Sequence, residues 1–298
     1  MGRFILIFIL LIFSAAPVAA KTDREKEYAA ETAEAERLGR IIYDYDIAAW
    51  VATDLLVERI GALDGKVSGW IVEKADGGER VLFYRGSNGL FAPGYSIDVR
   101  KGKAVGASFA AYPADAALTP AQATMIKARE AGLKAGASGC SPSYNTVVIP
   151  DETIGYLVYI LAATTDPNAV QIGGHLRHDI DAAGENVVGF RKFTNSCIAL
   201  SKVAPDGKSI VVALLVSQVL TAYPTEIHVW ASLLHDIDLF VVTGEKALWK
   251  VSGGQITDES SILRASFGDG AFEPPAPDWS VLRINEVGHF VEPGFFEN

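Results

Sequence analysis

The first part of the chain has the apolar spacing of a long helix. Between residues 38 and 60, apolar side chains recur at steps of three and four residues. This spacing is typical of an amphipathic helix that packs one face on a core. The stretch from Thr22 is dominated by acids and alanines, so we expect that half of the helix to be solvated. Gly61 is expected to end the helix.

The following pattern is mainly that of strands. Short runs rich in β-branched and aromatic residues are separated by Gly, Asp and Asn turns, which is typical of antiparallel hairpins. The predicted strands are 67–72, 81–84, 95–99, 104–109, 146–149, 156–162, 170–180, 186–193, 198–201, 239–243 and 247–251. The nearly continuous apolar run 210–219 predicts a central strand that is covered on both faces.

Two more helices interrupt the strands. The sequence Thr-Pro-Ala-Gln at 119–122 predicts a helix start, because threonine caps, proline suits the first turn and glutamine closes a capping box. A third helix is predicted from Thr225, with one apolar face and with His228, Ser232 and His235 on another face. The predicted fold class is therefore α+β, a mainly antiparallel sheet flanked by about three helices.

The first twenty residues have the order of a cleavable signal peptide. Arg3 precedes the unbroken apolar run 4–13, and small residues follow up to position 20. Cleavage before Lys21 would place the mature protein in the periplasm or outside the cell. An uncleaved anchor is the alternative interpretation, because the apolar and small residues approach the roughly 20 that cross a bilayer.

Beyond the signal peptide (1–20), the chain is predicted to form either two lobes or one large domain. The first lobe, 21–136, would hold the long helix, several strands and the second helix. The second lobe, 137–298, would hold the remaining sheet, one helix and a loosely ordered tail, rich in Pro and Phe, from Ala271. About 278 residues with nearly half apolar composition can bury a large core in either arrangement.

The charge of the protein narrows the range of partners. The whole chain has a formal charge of -10, and loss of residues 1–20 removes the single cation Arg3, so the mature charge is -11. An acidic surface repels phosphate backbones and anionic lipid heads, which argues against nucleic-acid binding and membrane docking. No second stretch is long and apolar enough to predict a membrane span after cleavage. The expected partner is an unidentified protein or small molecule.

Cys140 and Cys197 are the only cysteines of the chain. In an oxidising compartment an even pair favours a disulfide. Two separate thiols are the alternative, because spacing along the chain does not give the distance in space.

Four of the five histidines occur in two short groups, which suggests a metal site. His175 and His178 would point to opposite faces of a strand, and His228 and His235 would lie two turns apart on a helix. Neither pair alone can bind one ion, but one histidine from each group could converge in the fold. The alternative is that the histidines are hydrogen-bonded by nearby carboxylates or backbone groups.

Other polar groups are candidates for a site. The polar run 191–197 could line an anion pocket together with Arg177, or it could be a solvated hairpin face. Asp44, Asp46 and Asp54 in the first helix are interpreted as surface charge, because Asp44 and Asp46 do not share a helical face. No nucleophile elbow, phosphate loop or dinucleotide fingerprint is present.

The order of four motifs resembles the JAB/MPN-type zinc isopeptidases. The run 67–71 follows a long helix, Gly-Gly-His-Leu-Arg-His stands at 173–178, Pro-Thr-Glu-Ile-His at 224–228 opens a helix, and 239–243 is a strand. In that family a glutamate precedes a glycine-rich strand and a His-x-His pair ends another strand. A Pro-Ser-x-x-Asp motif then starts the helix that supplies the last zinc ligand.

The resemblance implies a zinc site at His175 and His228, with His178 as a weaker candidate and Thr225 in the place of the family's serine. No glutamate stands at the family's position, and Glu73 lies two strand positions beyond the motif. The missing base would leave a metal-bound water without its activating group. The leading hypothesis is therefore a binding or interaction protein without a cofactor, and the alternative is a zinc-dependent peptide or amide hydrolase.

Overall fold

The computed structural model describes residues 21–63, 65–203, 211–244 and 247–262, together with the backbone of 283–284 and 290–291. The predicted signal peptide lies outside the described residues, and so does the predicted tail apart from the two short backbone segments. All statements below refer to the described part of the chain.

The predicted helices form, and two of them begin after the threonines at which the sequence predicts a start, Thr119 and Thr225. The helices are α1 (Asp23–Glu27), α2 (Ala29–Ile60), α3 (Pro120–Ala135) and α4 (Glu226–His235). Helix α1 has no buried residue, whereas burial in α2 begins at Ala35, so the predicted division into a solvated and a packed half is confirmed. Thr119 and Gln122 form the predicted capping box of α3.

The strands pair mostly as antiparallel neighbours, which confirms the predicted α+β class. They are β1 (Gly69–Ala75), β2 (Gly78–Ser87), β3 (Leu90–Arg100), β4 (Lys103–Ala104), β5 (Ala110–Ala111), β6 (Tyr144–Asp151), β7 (Gly155–Ala162), β8 (Ala169–Gln171), β9 (Leu176–Ile180), β10 (Val187–Lys192), β11 (Ala199–Ser201), β12 (Ala213–Gln218), β13 (Asp238–Thr243), β14 (Ala247–Ser252), β15 (Gln255–Asp258), β16 (Arg283–Ile284) and β17 (Phe290–Val291).

Three larger sheets organise these strands. The first has the order β1-β2-β3-β4, with β5 also paired to β3. The second has the order β10-β9-β7-β6, and the third has the order β12-β13-β14-β15. Strands β8 and β11 form a separate pair, and so do β16 and β17.

The second sheet separates two layers of helix packing. Leu157 and Tyr159 of β7 belong to the larger apolar cluster, with residues of α2 and α4. Val158 and Ile160 point the other way, into a cluster that contains Met125 and Ile126 of α3. The alternation follows from the two-residue period of a strand. The larger cluster contains residues from both predicted lobes, and the proposed division of the chain stays a prediction.

Three strand predictions were wrong. Residues 170–180 do not form one strand, because Gly173 and Gly174 turn the chain between β8 and β9, with Gly174 at a φ of +87°. The predicted strand 104–109 is interrupted by the 3₁₀ helix Gly106–Ser108. Strand β12 is not central: it lies at the edge of its sheet and pairs in parallel with β13.

The predicted disulfide is confirmed. Cys140 and Cys197 are joined at an S–S distance of 2.03 Å, with their Cα atoms 5.3 Å apart. Both glycines that interrupt the predicted strand lie against the bridged loops. A Cβ atom on Gly174 would collide with Cys140, and one on Gly173 would collide with the backbone of Ser196. The glycine pair of the sequence motif therefore allows the close approach of the bridged loops.

Helix α4 is more deeply buried than its pattern predicted. His228 and Ser232, which were expected on a polar face, are buried together with the apolar side chains. The approach of α4 to α2 depends on Gly39, where a Cβ atom would lie 2.5 Å from the Cβ of Val229. Within the described residues, no helix is long and apolar enough to cross a membrane.

The interpretation of Asp46 as surface charge was also wrong. Asp46 is buried between α2, α4 and β6, where it accepts hydrogen bonds from Trp230 Nε1 and Asn145 Nδ2, both at 3.2 Å. Burial raises its pKa from 3.8 to about 6, although the two hydrogen bonds oppose the shift.

Candidate functional site

His175 lies fully inside the core, between β8 and β9. Its Nδ1 accepts the backbone N–H of Ala162 at 3.1 Å, and its Nε2 donates to the carbonyl oxygen of Gln171 at 3.0 Å. Burial lowers its pKa to about 4, so the ring is neutral at pH 7. Both ring nitrogens are therefore engaged by the backbone.

His228 takes part in the N-terminal cap of α4. Its Nδ1 accepts the backbone N–H of Thr225 at 3.0 Å, and the Thr225 hydroxyl lies at the same distance. Burial, with smaller contributions from His175 and Arg191, lowers the pKa of His228 to about 4. The zinc site that the JAB/MPN resemblance implies at His175 and His228 stays a prediction.

The other residues of the predicted zinc site lie on different elements. His178 faces the α3 side of β9, where its Nε2 donates to the carbonyl oxygen of Gly136 at 2.9 Å. Glu73 accepts a hydrogen bond from Gln122 at the start of α3. Among the described residues, no group of three or more His, Cys, Asp and Glu side chains could share a metal ion.

A row of polar side chains crosses the face of the second sheet that is covered by α2 and α4. Tyr159 of β7 is paired with Arg177 of β9, which is paired with Arg191 of β10. Two like charges that stand directly opposite each other destabilise a sheet unless anions compensate them. Asp179, two residues along β9, binds Arg177 through both carboxylate oxygens at 2.7 and 3.2 Å.

Glu226 supplies the second anion from the first turn of α4. Its Oε1 accepts from Tyr159 Oη and from Arg191 Nη1, both at 3.1 Å, and lies 3.6 Å from Arg177 Nη1. Only 2% of this residue is exposed. The N-terminal position also favours a carboxylate, because the helix dipole is positive there.

Tyr159 remains a hydrogen-bond donor in this environment. Burial raises the pKa of its hydroxyl well above the ordinary value, and the charge of Glu226 raises it further. Phe193 stacks beside the Tyr159 ring, and the Arg191 guanidinium lies 4.9 Å from the centre of the Phe193 ring. These contacts fix the row against the core.

The row opens into a cleft of about 430 Å³, which we call the charged cleft. Its lining includes four carboxylates and two guanidinium groups, which belong to Glu31, Glu34, Asp151, Glu226, Arg177 and Arg191. Among the described lining residues the carboxylates outnumber the cations by two, so the cleft favours a positively charged guest.

The carboxylates at the mouth of the charged cleft differ in their availability. Glu34 is paired with Arg37, at 2.7 Å, and Asp151 accepts hydrogen bonds from Thr153 and Ile154 in the adjoining turn. Exposed Glu31 has no ion-pair or hydrogen-bond partner among the described residues. Glu31 is therefore the carboxylate most available to a ligand.

Comparison with protein-family models, with curated proteins and with solved structures gives no match for this chain. The function is therefore argued from the geometry of the site. Sequence reasoning had connected Arg177 with the run from Arg191, but as an anion pocket. It missed Tyr159 and Glu226, although an acid directly after a predicted helix cap was a usable signal.

Proposed function

We propose that this protein is an exported binding protein that holds a small, positively charged ligand in the charged cleft. The observation that carries the proposal is the buried Glu226, which is fixed by Tyr159 and Arg191 at the base of a cleft whose lining has more carboxylates than cations. A strongly desolvated charge group inside a cleft is a common sign of a functional site.

The buried part of the cleft is suited to orient a ligand and not to react with it. Glu226 and Asp179 compensate the two arginines, and Tyr159 keeps its proton, so the base of the cleft has its hydrogen bonds already satisfied. Such a preorganised surface costs little ordering when a ligand binds. The exposed carboxylate of Glu31 would then bind the ligand's cationic group.

Export is part of the proposal. It is supported by the signal-peptide order of residues 1–20 and by the disulfide between Cys140 and Cys197, a bond that persists in oxidising compartments. Mass spectrometry of the natural protein should find a mature N-terminus at Lys21. An intact starting segment in protein from the cell interior would contradict export.

The ligand class can be tested with two linear probes that have four methylene groups each: putrescine, a dication, and adipate, a dianion. Titration calorimetry of the mature protein at low salt should show binding of putrescine only. The variant Glu31→Gln should weaken that binding roughly three-fold, the size of an exposed ion pair. Glu27→Gln, on exposed α1 and outside the cleft, is the matched control. Preferential binding of adipate, or no binding of putrescine, would contradict the proposal.

The zinc-dependent hydrolase is the second candidate, and the order of the sequence motifs that contain His175 and His228 favours it. The hydrogen bonds of both His175 nitrogens to the backbone argue against it, because a metal would have to replace one of them. Metal analysis of protein purified without a histidine tag separates the two candidates. Stoichiometric zinc that is lost in His175→Ala and His228→Ala would replace the binding-protein proposal, and metal-free protein would remove the hydrolase.

A further inference from the structure

A second cavity lies on the other face of β9 and β10, and we call it the disulfide cavity. It has a volume of about 360 Å³ and is bordered by the Cys140–Cys197 bridge, by the end of α3 and by the α3-facing side chains of the two strands. Its volume is within the range of small-molecule sites. Within the described part of the chain, it shares no lining residue with the charged cleft.

His178, one of the residues that line this cavity, has an unsatisfied buried atom. The residue is 4% exposed, and its Nε2 donates to the carbonyl oxygen of Gly136 at 2.9 Å. Its Nδ1 is buried and has no hydrogen-bond partner among the described residues. Buried polar atoms are nearly always paired, so an unpaired one on a residue that lines a cavity indicates a missing partner.

The missing partner is best supplied by a hydroxyl group. In a neutral imidazole with its proton on Nε2, Nδ1 is an acceptor, whereas in a charged imidazolium it is a donor. A hydroxyl can donate or accept, so it satisfies Nδ1 in either state. A carboxylate or phosphate oxygen would satisfy only the charged state.

The rest of the lining suits a ligand with several hydroxyl groups. Hydroxyl and amide side chains come from Ser138, Thr194, Asn195 and Ser196, and none of the described residues that line this cavity carries a carboxylate. Lys192 supplies a positive charge at the exposed rim.

Phe190 offers an apolar surface beside the polar groups. It stands opposite His178 in the β9–β10 ladder, with the ring centres 5.3 Å apart. The phenylalanine is 51% exposed, so its ring is available to a ligand. An exposed ring next to hydrogen-bonding groups can cover the C–H face of a ring-shaped polyol while its hydroxyls are bound.

We propose that the disulfide cavity binds a small sugar, with one sugar hydroxyl on His178 Nδ1, the sugar ring on Phe190 and Lys192 at the rim. The proposal is independent of the charged cleft and of its cationic ligand. The lysine and the absence of lining carboxylates favour a sugar acid over an amino sugar.

The test uses the mature, oxidised protein and three probes: glucose, glucuronate and glucosamine. NMR titration should show binding of glucose or glucuronate, with glucosamine weakest, and the ¹⁵N signal of His178 Nδ1 should move as the sugar binds. The variant Phe190→Ala should weaken binding about five-fold. Val188→Ala, at a 62% exposed residue of the same strand outside the cavity, should leave binding unchanged.

Three results would overturn the proposal. In the first, none of the probes binds, and a water molecule completes the hydrogen bonds of His178. In the second, a sugar binds but neither the His178 signal nor the affinity of Phe190→Ala changes, which places the sugar elsewhere. In the third, glucosamine binds more tightly than glucuronate, which excludes the role of Lys192. Because the ¹⁵N measurement uses the unaltered protein, it does not depend on whether a His178 variant folds.

Discussion

The two faces of strands β9 and β10 differ in how their polar groups are satisfied. Toward α2 and α4, Arg177 and Arg191 are compensated by Glu226 and an aspartate of the same strand. Toward the disulfide, His178 lines a cavity, and one of its nitrogens has no partner among the described residues. The first face is held together by a balance of charges, and the second is framed by a covalent bridge.

A fully paired network and an unpaired buried atom predict different binding modes. The charged cleft is complete without a ligand at its base, so a guest is expected to use mainly the rim. The disulfide cavity is incomplete at its base, so a guest is expected to reach the buried histidine. Substitutions should therefore affect the two sites separately, because they share a sheet but no lining residue.

The largest expected effect is the loss of the disulfide. The double variant Cys140→Ser/Cys197→Ser frees a segment with a sequence separation of 57, and the free energy of unfolding should fall by about 4 kcal/mol. Sugar binding should be lost, while putrescine binding persists in the folded protein. Urea unfolding and the two titrations check this. Loss of both ligands from protein that is still folded would show that the sites are coupled.

The next effect is expected from Glu226→Gln. The substitution keeps a hydrogen-bond acceptor for Tyr159 but removes the anion that Arg177 and Arg191 share, so the free energy of unfolding should fall by about 3 kcal/mol. Putrescine binding should weaken, and sugar binding should not.

The control for this prediction is Glu185→Gln, which removes one partner of an exposed ion pair with Lys127. It should change the free energy of unfolding by no more than about 0.5 kcal/mol. Adding Arg191→Met to Glu226→Gln should recover part of the lost stability. If Glu226→Gln and its control behave alike, the buried charges do not hold this face together.

A smaller and pH-dependent effect is expected from Asp46→Asn, behind the charged cleft. Because the folded-state pKa of Asp46 is raised from 3.8 to about 6, this group favours folding most below pH 4 and loses that contribution as the pH rises through 6. At pH 8 the ionised Asp46 destabilises the natural protein by about 1.4 kcal/mol for each unit by which its pKa is raised. Asparagine removes this cost but makes a poorer contact with Asn145, so the variant should be more stable than the natural protein by about 2 kcal/mol.

Unfolding measurements at pH 4 and pH 8 check the sign. The stability difference between the variant and the natural protein should grow with pH over this interval, and a constant difference would contradict a buried, titrating Asp46. Putrescine binding should change little, because Asp46 does not line the charged cleft.

The smallest effect is expected from Gly39→Ala, which tests the packing of α2 on α4. The new Cβ would meet Val229 at 2.5 Å and the carbonyl oxygen of Glu226 at 2.8 Å. Crowding should outweigh the helix propensity of alanine and cost about 1 kcal/mol. Because α4 carries Glu226, putrescine binding should weaken while sugar binding is unchanged. If putrescine binding is unchanged, the two helices separate without moving Glu226.

Local signals were sufficient for much of the fold. The capping box at Thr119, the apolar spacing of α2 and the alternation in the strands predicted elements that the structure contains, because each depends on residues a few positions apart. The cysteine pair indicated a bridge, but the sequence left open whether the thiols meet. The fold decided that by turning the chain at Gly173 and Gly174.

The candidate sites required contacts that span long distances along the chain. The burial of Glu226 depends on Tyr159 and Arg191, 67 and 35 residues away, and Asp46 is buried by an indole 184 residues away. The helices, most strands and the acidic charge follow from local geometry and composition, so the sequence alone specifies them. Which charged groups leave water depends on the elements that pack around each residue, so this was settled by the fold.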